Sequence, residues 1–153
     1  MTEDASFRDG ADKPLRLRAL DADDLTVIAA ITQDAVFPVA EMRWDRKARR
    51  FALLINRFRW ENGRQQPERV QSVLAFEDVM AVQSQGIDKA DHDLVCSLLS
   101  ISFAPAADGA GRVELTLAGD GAIALQVEAL EAVLRDVTQP YAAPSGKAPK
   151  HPD

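Results

Sequence analysis

Hydrophobic and polar residues alternate along most of the chain, a pattern typical of β-strands with one buried face. The alternating segments are residues 15–20, 49–60, 70–76, 79–83, 113–117 and 123–127. Residues 94–103 are apolar on both faces, which favours a central strand. Asp120-Gly121 predicts a tight hairpin turn between the last two alternating segments. The pattern as a whole indicates a chain rich in antiparallel strands.

Residues 40–60 predict a hairpin with strands at 40–44 and 49–60 and a turn at 45–48. If Trp44 opposes Arg49, then Met42 opposes Phe51. One face of this hairpin would then carry Met42, Trp44, Phe51, Leu53 and Ile55. Arg57 and Arg59 continue that face beyond its apolar part, and Asn56, Phe58 and Trp60 lie on the other face.

Two segments have the helical period instead. Leu25, Ile28, Thr32 and Ala35 share one face of a helix that Asp21 would cap and Pro38 would end. Near the C-terminus, the apolar positions repeat at i, i+3, i+4 and i+7, which predicts a closing helix. These positions are Leu130, Val133, Leu134 and Val137.

The order of these elements predicts an α+β fold. We expect a mostly antiparallel, strongly bent sheet of about six to seven strands, with one helix in the N-terminal half and a C-terminal helix. Pleckstrin-homology-like domains have an architecture of this kind, and the analogy concerns the fold alone. Residues 1–13 are predicted to be a flexible leader, 14–138 a single globular domain and 139–153 a disordered proline-rich tail.

Composition narrows the functional classes. The chain has 153 residues and one cysteine, Cys96, so an intrachain disulfide cannot form. Residues 1–13 lack the apolar segment of a secretory signal, and no apolar run approaches the roughly 18 residues that cross a bilayer. We therefore expect a cytoplasmic protein without a membrane partner.

Charge is concentrated in the hairpin. Residues 42–64 hold eight arginines and lysines against two acids, whereas the remaining ten bases and 22 acids give the rest of the chain a net charge of −12. Nucleic-acid binding would require Phe58 and Trp60 to be exposed beside Arg57 and Arg59. Alternation places those arginines on the opposite side of the strand, so a nucleic-acid partner is not expected.

The common catalytic signatures are absent from the sequence, including GxxxxGK[ST], GxSxG and HExxH. His92 is the one histidine within the predicted domain. Asp88, Asp91, His92 and Asp93 form the densest set of potential metal ligands, but a solvated loop explains them equally well. We predict no catalytic residue, no metal and no cofactor.

Five stretches together resemble a small alphaproteobacterial family of unknown function: LRALDADDLTVIAAITQDAVFPVAEM, RRFALLINRFRWE, SVLAFEDVMAVQSQGID, LLSISF and GAIALQVEALEAVLRDV. In that family the helix typically ends in a Leu-Gln-Asp-Ala-type motif, and the hairpin carries Asn-Arg-Phe-Asp-Trp-Glu. Thr32 and Arg59 stand where leucine and aspartate are usual. The residues that match are Gln33, Asp34, Ala35, Asn56, Arg57, Phe58, Trp60 and Glu61. The resemblance implies a bacterial cytoplasmic protein with a shared fold, and no activity is assigned to the family.

The matching motifs indicate a polar cluster where helix and hairpin meet. Arg57 could pair with Asp34 or Glu61, either as a structural contact or as a ligand clamp. The candidate residues for binding a ligand or partner are Gln33, Asp34, Asn56, Arg57, Phe58, Trp60 and Glu61. Our leading hypothesis is a non-enzymatic module that binds a protein or small ligand. The alternatives are a small enzyme or ligand-binding protein using this cluster, and nucleic-acid binding through the hairpin.

Overall fold

The computed structural model describes residues 14–59 and 68–138, and the backbone of residues 141–142. Its helix and strands, in chain order, are β1 (Arg16–Ala19), α1 (Ala22–Thr32), β2 (Val36–Pro38), β3 (Arg43–Asp45), β4 (Arg50–Phe58), β5 (Glu68–Phe76), β6 (Val79–Gln85), β7 (Val95–Pro105), β8 (Gly111–Leu117), β9 (Ala122–Val127), β10 (Ala132–Asp136) and β11 (Tyr141–Ala142). Every strand pairing among them is antiparallel. The α+β prediction is confirmed, but the number of described strands is higher than predicted.

The strands form one sheet in the order β1-β10-β5-β4-β2-β7-β8-β9-β6, with β3 added to β4 and β11 to β5. Strand β7 joins the two halves, because residues 95–97 pair with β2 and residues 98–105 pair with β8. A register shift between Leu98 and Ser100 accompanies this change of partner. Buried side chains of both halves, such as Leu74 and Leu115, belong to one core cluster. The sheet is therefore bent over a single core.

Helix α1 packs mainly against β7. Asp21 caps it as predicted, its Oδ1 accepting from the Asp24 N–H at 2.8 Å. Leu25, Ile28 and Thr32 form its buried face. The helix ends at Thr32, six residues before Pro38, because Asp34 takes a left-handed conformation with φ 67° and the chain then enters β2. Our assignment of the helix end to Pro38 was wrong.

The predicted C-terminal helix was also wrong. Residues 132–136 form β10, which lies between β1 and β5 and pairs with both. Ala132 and Leu134 are buried, with Val133 half-buried between them. Hydrogen bonds to two neighbouring strands outweigh a short apolar pattern that also fits a helix. The analogy to pleckstrin-homology-like domains loses its main support with this helix.

The β3–β4 hairpin exists, but its predicted register was wrong. Trp44 pairs with Phe51 rather than with Arg49, and Arg43 pairs with Ala52. The turn occupies residues 46–49 and ends at Arg49, whose φ of 58° is left-handed. The turn therefore lies one residue later than predicted. Strand β3 begins at Arg43, so Met42 precedes the strand and packs against the core from there.

The predicted strands between residues 70 and 127 all have counterparts in the structure. Within the described residues, no helix has the length and apolar character needed to cross a membrane. The predicted leader at 1–13 lies outside the described residues, as does the predicted tail apart from the backbone of β11. The leader, tail and domain boundaries stay predictions, as do the bacterial class and the cytoplasmic location.

Candidate functional site

One end of β4 is closed by a buried ion pair between Arg57 and Asp136. The Arg57 Nη2 lies 2.9 Å from Asp136 Oδ1 and 3.1 Å from Oδ2, and its Nε donates to Ser72 Oγ at 3.1 Å. Ser72 Oγ donates in turn to Asp136 Oδ1 at 2.7 Å, and the Leu15 N–H donates to Oδ2 at 2.8 Å. Four strands or strand ends (β1, β4, β5 and β10) therefore meet at one carboxylate.

The exposed fractions of these side chains decide what this arrangement can do. Arg57 is 0% exposed and Asp136 is 3% exposed. A covered pair with its hydrogen bonds made within the protein offers no surface to a ligand. We therefore interpret Arg57 as a structural residue, and call the group Arg57, Ser72 and Asp136 the closed-end network.

The other predicted site residues have different surroundings. Phe58 is fully buried, which removes the exposed ring that nucleic-acid stacking would require at this position. Arg59 is also buried, and its Nη1 donates to Glu68 Oε1 at 2.8 Å. Gln33 and Asp34 are half-buried at the end of α1, where the Asp34 N–H donates to the Leu98 carbonyl at 2.8 Å. Both arginines of the predicted nucleic-acid surface thus lie inside the protein.

Asn56 is half-buried and pairs with Val36 of β2 and Gln71 of β5. It lines a shallow cleft of about 280 Å³ together with Glu41 and Gln71. Trp60 and Glu61 lie outside the described residues, so the proposed Arg57–Glu61 pairing does too. Asn56 and Arg57 are thus neighbours on β4 with different surroundings, because Asn56 lines a cleft and Arg57 is buried.

The other end of β4 is open. Two adjoining cavities of about 440 and 600 Å³ lie between the β3–β4 hairpin and β6, and share Trp44, Arg46 and Val82 in their linings. The floor of the smaller one is apolar and is formed by Met42, Trp44, Phe51, Val82 and Ile123. We call the two cavities together the β3–β6 cleft.

Basic side chains surround this cleft. Arg46 follows β3, while Lys89 and His92 come from the loop between β6 and β7, and all three are exposed. Among the described residues, Arg46 and Lys89 make no ion pair, whereas the neighbouring Arg49 is paired with Glu128. An apolar floor beside Arg46 and Lys89, which make no ion pair with the described residues, suits a ligand that has both an apolar and an anionic part.

The loop that carries Lys89 and His92 is also the potential metal loop of the sequence. Asp88 Oδ1 accepts from the Ala90 N–H at 3.0 Å, and Asp91 Oδ1 accepts from the Asp93 N–H at 3.1 Å. These are local turn contacts. Over the described ranges, no three histidine, cysteine, aspartate or glutamate side chains are grouped so that they could hold a metal ion.

Cys96 lies on β7 opposite Phe37 of β2 and is half-buried. Burial raises the pKa of the Cys96 thiol above its ordinary value. A raised pKa leaves less of the nucleophilic thiolate at neutral pH, which argues against a role in nucleophilic catalysis.

Sequence reasoning missed both Asp136 and the cleft. Asp136 was placed in a helix, where its partners on β1, β4 and β5 could not be recognised. The cleft combines β3, β6 and the 86–94 loop, and depends on β6 pairing with β9 instead of its chain neighbour β5. The one usable signal was the apolar face predicted for Met42, Trp44 and Phe51.

Comparison with known proteins gives a family and no activity. A search of curated proteins and a search of solved structures found no match. A family model described as "Protein of unknown function (DUF2948)" matches residues 15–151, nearly the whole chain. This agrees with the resemblance seen in the sequence. The chain therefore belongs to the DUF2948 family of proteins of unknown function.

Proposed function

We propose that the protein is a non-enzymatic binding module whose binding site is the β3–β6 cleft. The observation that carries this proposal is the apolar floor around Trp44 and Phe51 beside Arg46 and Lys89, two cations without an ion pair among the described residues. Burial of apolar surface would supply most of the binding free energy. The cations would select an anionic group and speed its association.

The preference for binding over catalysis rests on the chemistry of the lining. Among the described residues that line the cleft, His92 is the one histidine, and Glu128, which is paired with Arg49, is the one carboxylate. General acid–base catalysis requires a positioned proton donor or acceptor, and nucleophilic catalysis a nucleophile next to a base. The lining supports recognition of a ligand better than its conversion.

Anilinonaphthalene sulfonate is a suitable first probe, because it combines aromatic rings with an anionic group. We expect saturable binding to the folded protein, seen as increased probe fluorescence, and competition by decanoate. Lys89→Glu and Arg46→Glu should each weaken binding about tenfold, since each turns an attraction into a repulsion. Val82→Glu should weaken it as well by placing a carboxylate in the apolar floor.

The matched control is Arg16→Glu, which makes the same charge change at an exposed residue of β1 that does not line the cleft. Circular dichroism must show that every variant is folded, because this probe also binds partly folded proteins. Equal affinity of Lys89→Glu and Arg16→Glu for the probe would contradict the proposal.

A second candidate is a small-ligand site at the predicted polar cluster, supported by the cleft of about 280 Å³ that Asn56 and Gln71 line. It is smaller than the β3–β6 cleft, and Glu41 makes it unfavourable for anions. The probe distinguishes the two sites, because Gln71→Ala should leave its binding unchanged if the β3–β6 cleft is the site.

A further inference from the structure

Strand β6 is an unprotected sheet edge. Among the described strands it pairs only with β9, and it lies at one end of the strand order. Its sequence, VMAVQSQ, contains neither a charge nor a proline. The strand at the other end, β1, carries Arg16 and Arg18. Charged residues and prolines are the usual means by which proteins prevent an edge from pairing with another strand.

The free edge of β6 borders the β3–β6 cleft. The Val79 N–H donates to the Arg49 carbonyl at 2.9 Å, which holds the beginning of β6 against the hairpin. Beyond this contact, Val82, Ser84 and Met80 line the cleft, and Met80 is 61% exposed. Strand β3, on the far side, pairs only with β4 among the described strands. The backbone groups of β6 are thus next to a site with an apolar floor.

Positive charge near the free edge of β6 comes from Arg46 and Lys89, which line the β3–β6 cleft. Lys89 also borders a neighbouring cleft of about 450 Å³, where Arg112 is paired with Glu114 at 3.6 Å. Pairing of β6 with β6 of a second copy would place two β3–β6 clefts on one continuous sheet, each lined by Arg46 and Lys89. Charge complementarity therefore favours an acidic partner over a second copy of this chain.

We propose that the occupant of the cleft is an extended acidic peptide of a partner protein, which adds to the free edge of β6 as a further antiparallel or parallel strand. Main-chain hydrogen bonds to β6 hold the peptide, and every second side chain points to the apolar floor around Trp44. Acidic side chains of the peptide lie close to Arg46 and Lys89. This inference rests on the proposed function and specifies its ligand.

The test uses a fluorescein-labelled peptide of alternating valine and glutamate with the seven-residue length of β6. Fluorescence anisotropy measures its binding to the full chain. Two control peptides carry N-methyl groups on one or the other set of alternate residues, which removes backbone donors and keeps the side chains. A third control replaces glutamate with lysine.

If the peptide pairs with β6, at least one N-methylated peptide should bind about tenfold more weakly than the parent, and the lysine peptide should not bind measurably. Lys89→Glu should weaken parent binding about tenfold, and Arg16→Glu should not. Hydrogen exchange should show added protection of the β6 amides from 80 to 85 and none on β1.

Two results would overturn the inference in distinguishable ways. If anilinonaphthalene sulfonate binds at the cleft but the peptide does not, or both N-methylated peptides bind as tightly as the parent, strand addition is wrong and the proposed function stands. If neither probe nor peptide binds, both proposals fail.

Discussion

The two ends of β4 show how one strand can serve stability at one end and leave a site at the other. At the Arg57 end, the closed-end network links β4 to β5 and β10, and the Leu15 N–H joins it from the residue before β1. At the Phe51 end, the hairpin and β6 leave the β3–β6 cleft between them. Both ends carry arginine, so the difference lies in burial and partners and not in residue type. The charge count of a segment therefore says little about its role.

The largest expected effect is the loss of Arg57. Arg57→Met should lower the free energy of unfolding by about 3–5 kcal/mol, because the buried Asp136 carboxylate loses its counter-ion. Urea denaturation followed by circular dichroism measures the change. Arg50→Met is the matched control on the same strand, since its Nε contacts Glu77 at 2.7 Å with 53% of the arginine side chain exposed. A surface pair of this kind should contribute about 0–1 kcal/mol.

Ser72→Ala keeps the Arg57 experiment informative if Arg57→Met does not fold. The serine hydroxyl donates to Asp136 and accepts from Arg57, so its removal should cost roughly 1–3 kcal/mol. If Arg57→Met or Ser72→Ala destabilised the protein no more than Arg50→Met, the closed-end network would not have the stabilising role that distinguishes the two ends of β4.

A smaller effect is expected on stability at the open end. Lys89 is exposed and makes no ion pair among the described residues, so Lys89→Glu should change the free energy of unfolding by no more than about 0.5 kcal/mol. The same substitution should weaken binding of the anionic probe. A large loss of stability in this variant would mean that Lys89 supports the fold, which contradicts its proposed role in binding at the β3–β6 cleft.

The smallest effect concerns Cys96, which is half-buried on β7 opposite Phe37 of β2. Because burial raises the pKa of the thiol, the folded protein holds less thiolate at pH 8 than the unfolded chain. Alkylation by iodoacetamide should therefore be several-fold slower in the native state than in urea. Mass spectrometry of the single alkylated cysteine measures both rates. Equal rates would show that the Cys96 thiol is not protected by burial in the folded protein.

Local patterns predicted much of the fold. The alternation of Phe51, Leu53 and Ile55 identified a core face, and Asp21 was recognised as a helix cap because both signals depend on near neighbours in the chain. The prediction of a C-terminal helix was wrong because a short apolar pattern fits a helix or a strand. Only pairing with β1 and β5 decides between the two for Leu130, Val133, Leu134 and Val137. The predicted register of the hairpin was wrong because Arg49 belongs to the turn, where it adopts a positive φ, and not to the strand.

The candidate site was far less predictable than the fold. The family motif drew attention to Arg57, but it did not reveal the ion pair with Asp136, 79 residues away in the chain. The β3–β6 cleft depends on which strands become neighbours in a bent sheet, and neither Trp44 nor Lys89 has a sequence context that shows they line the same cavity. Such juxtapositions are set by long-range topology, which period and composition do not encode.

The hydrogen bond from Leu15 to Asp136 spans 121 residues. During synthesis, residues 15 and 57 emerge long before their common partner, so Arg57 must stay hydrated until almost the whole domain has been made. Contacts of such sequence separation slow folding, because a long loop must close before they form. The time at which β10 forms therefore limits when β1 can join the sheet, and a chain interrupted before residue 136 would lack the buried Arg57–Asp136 ion pair.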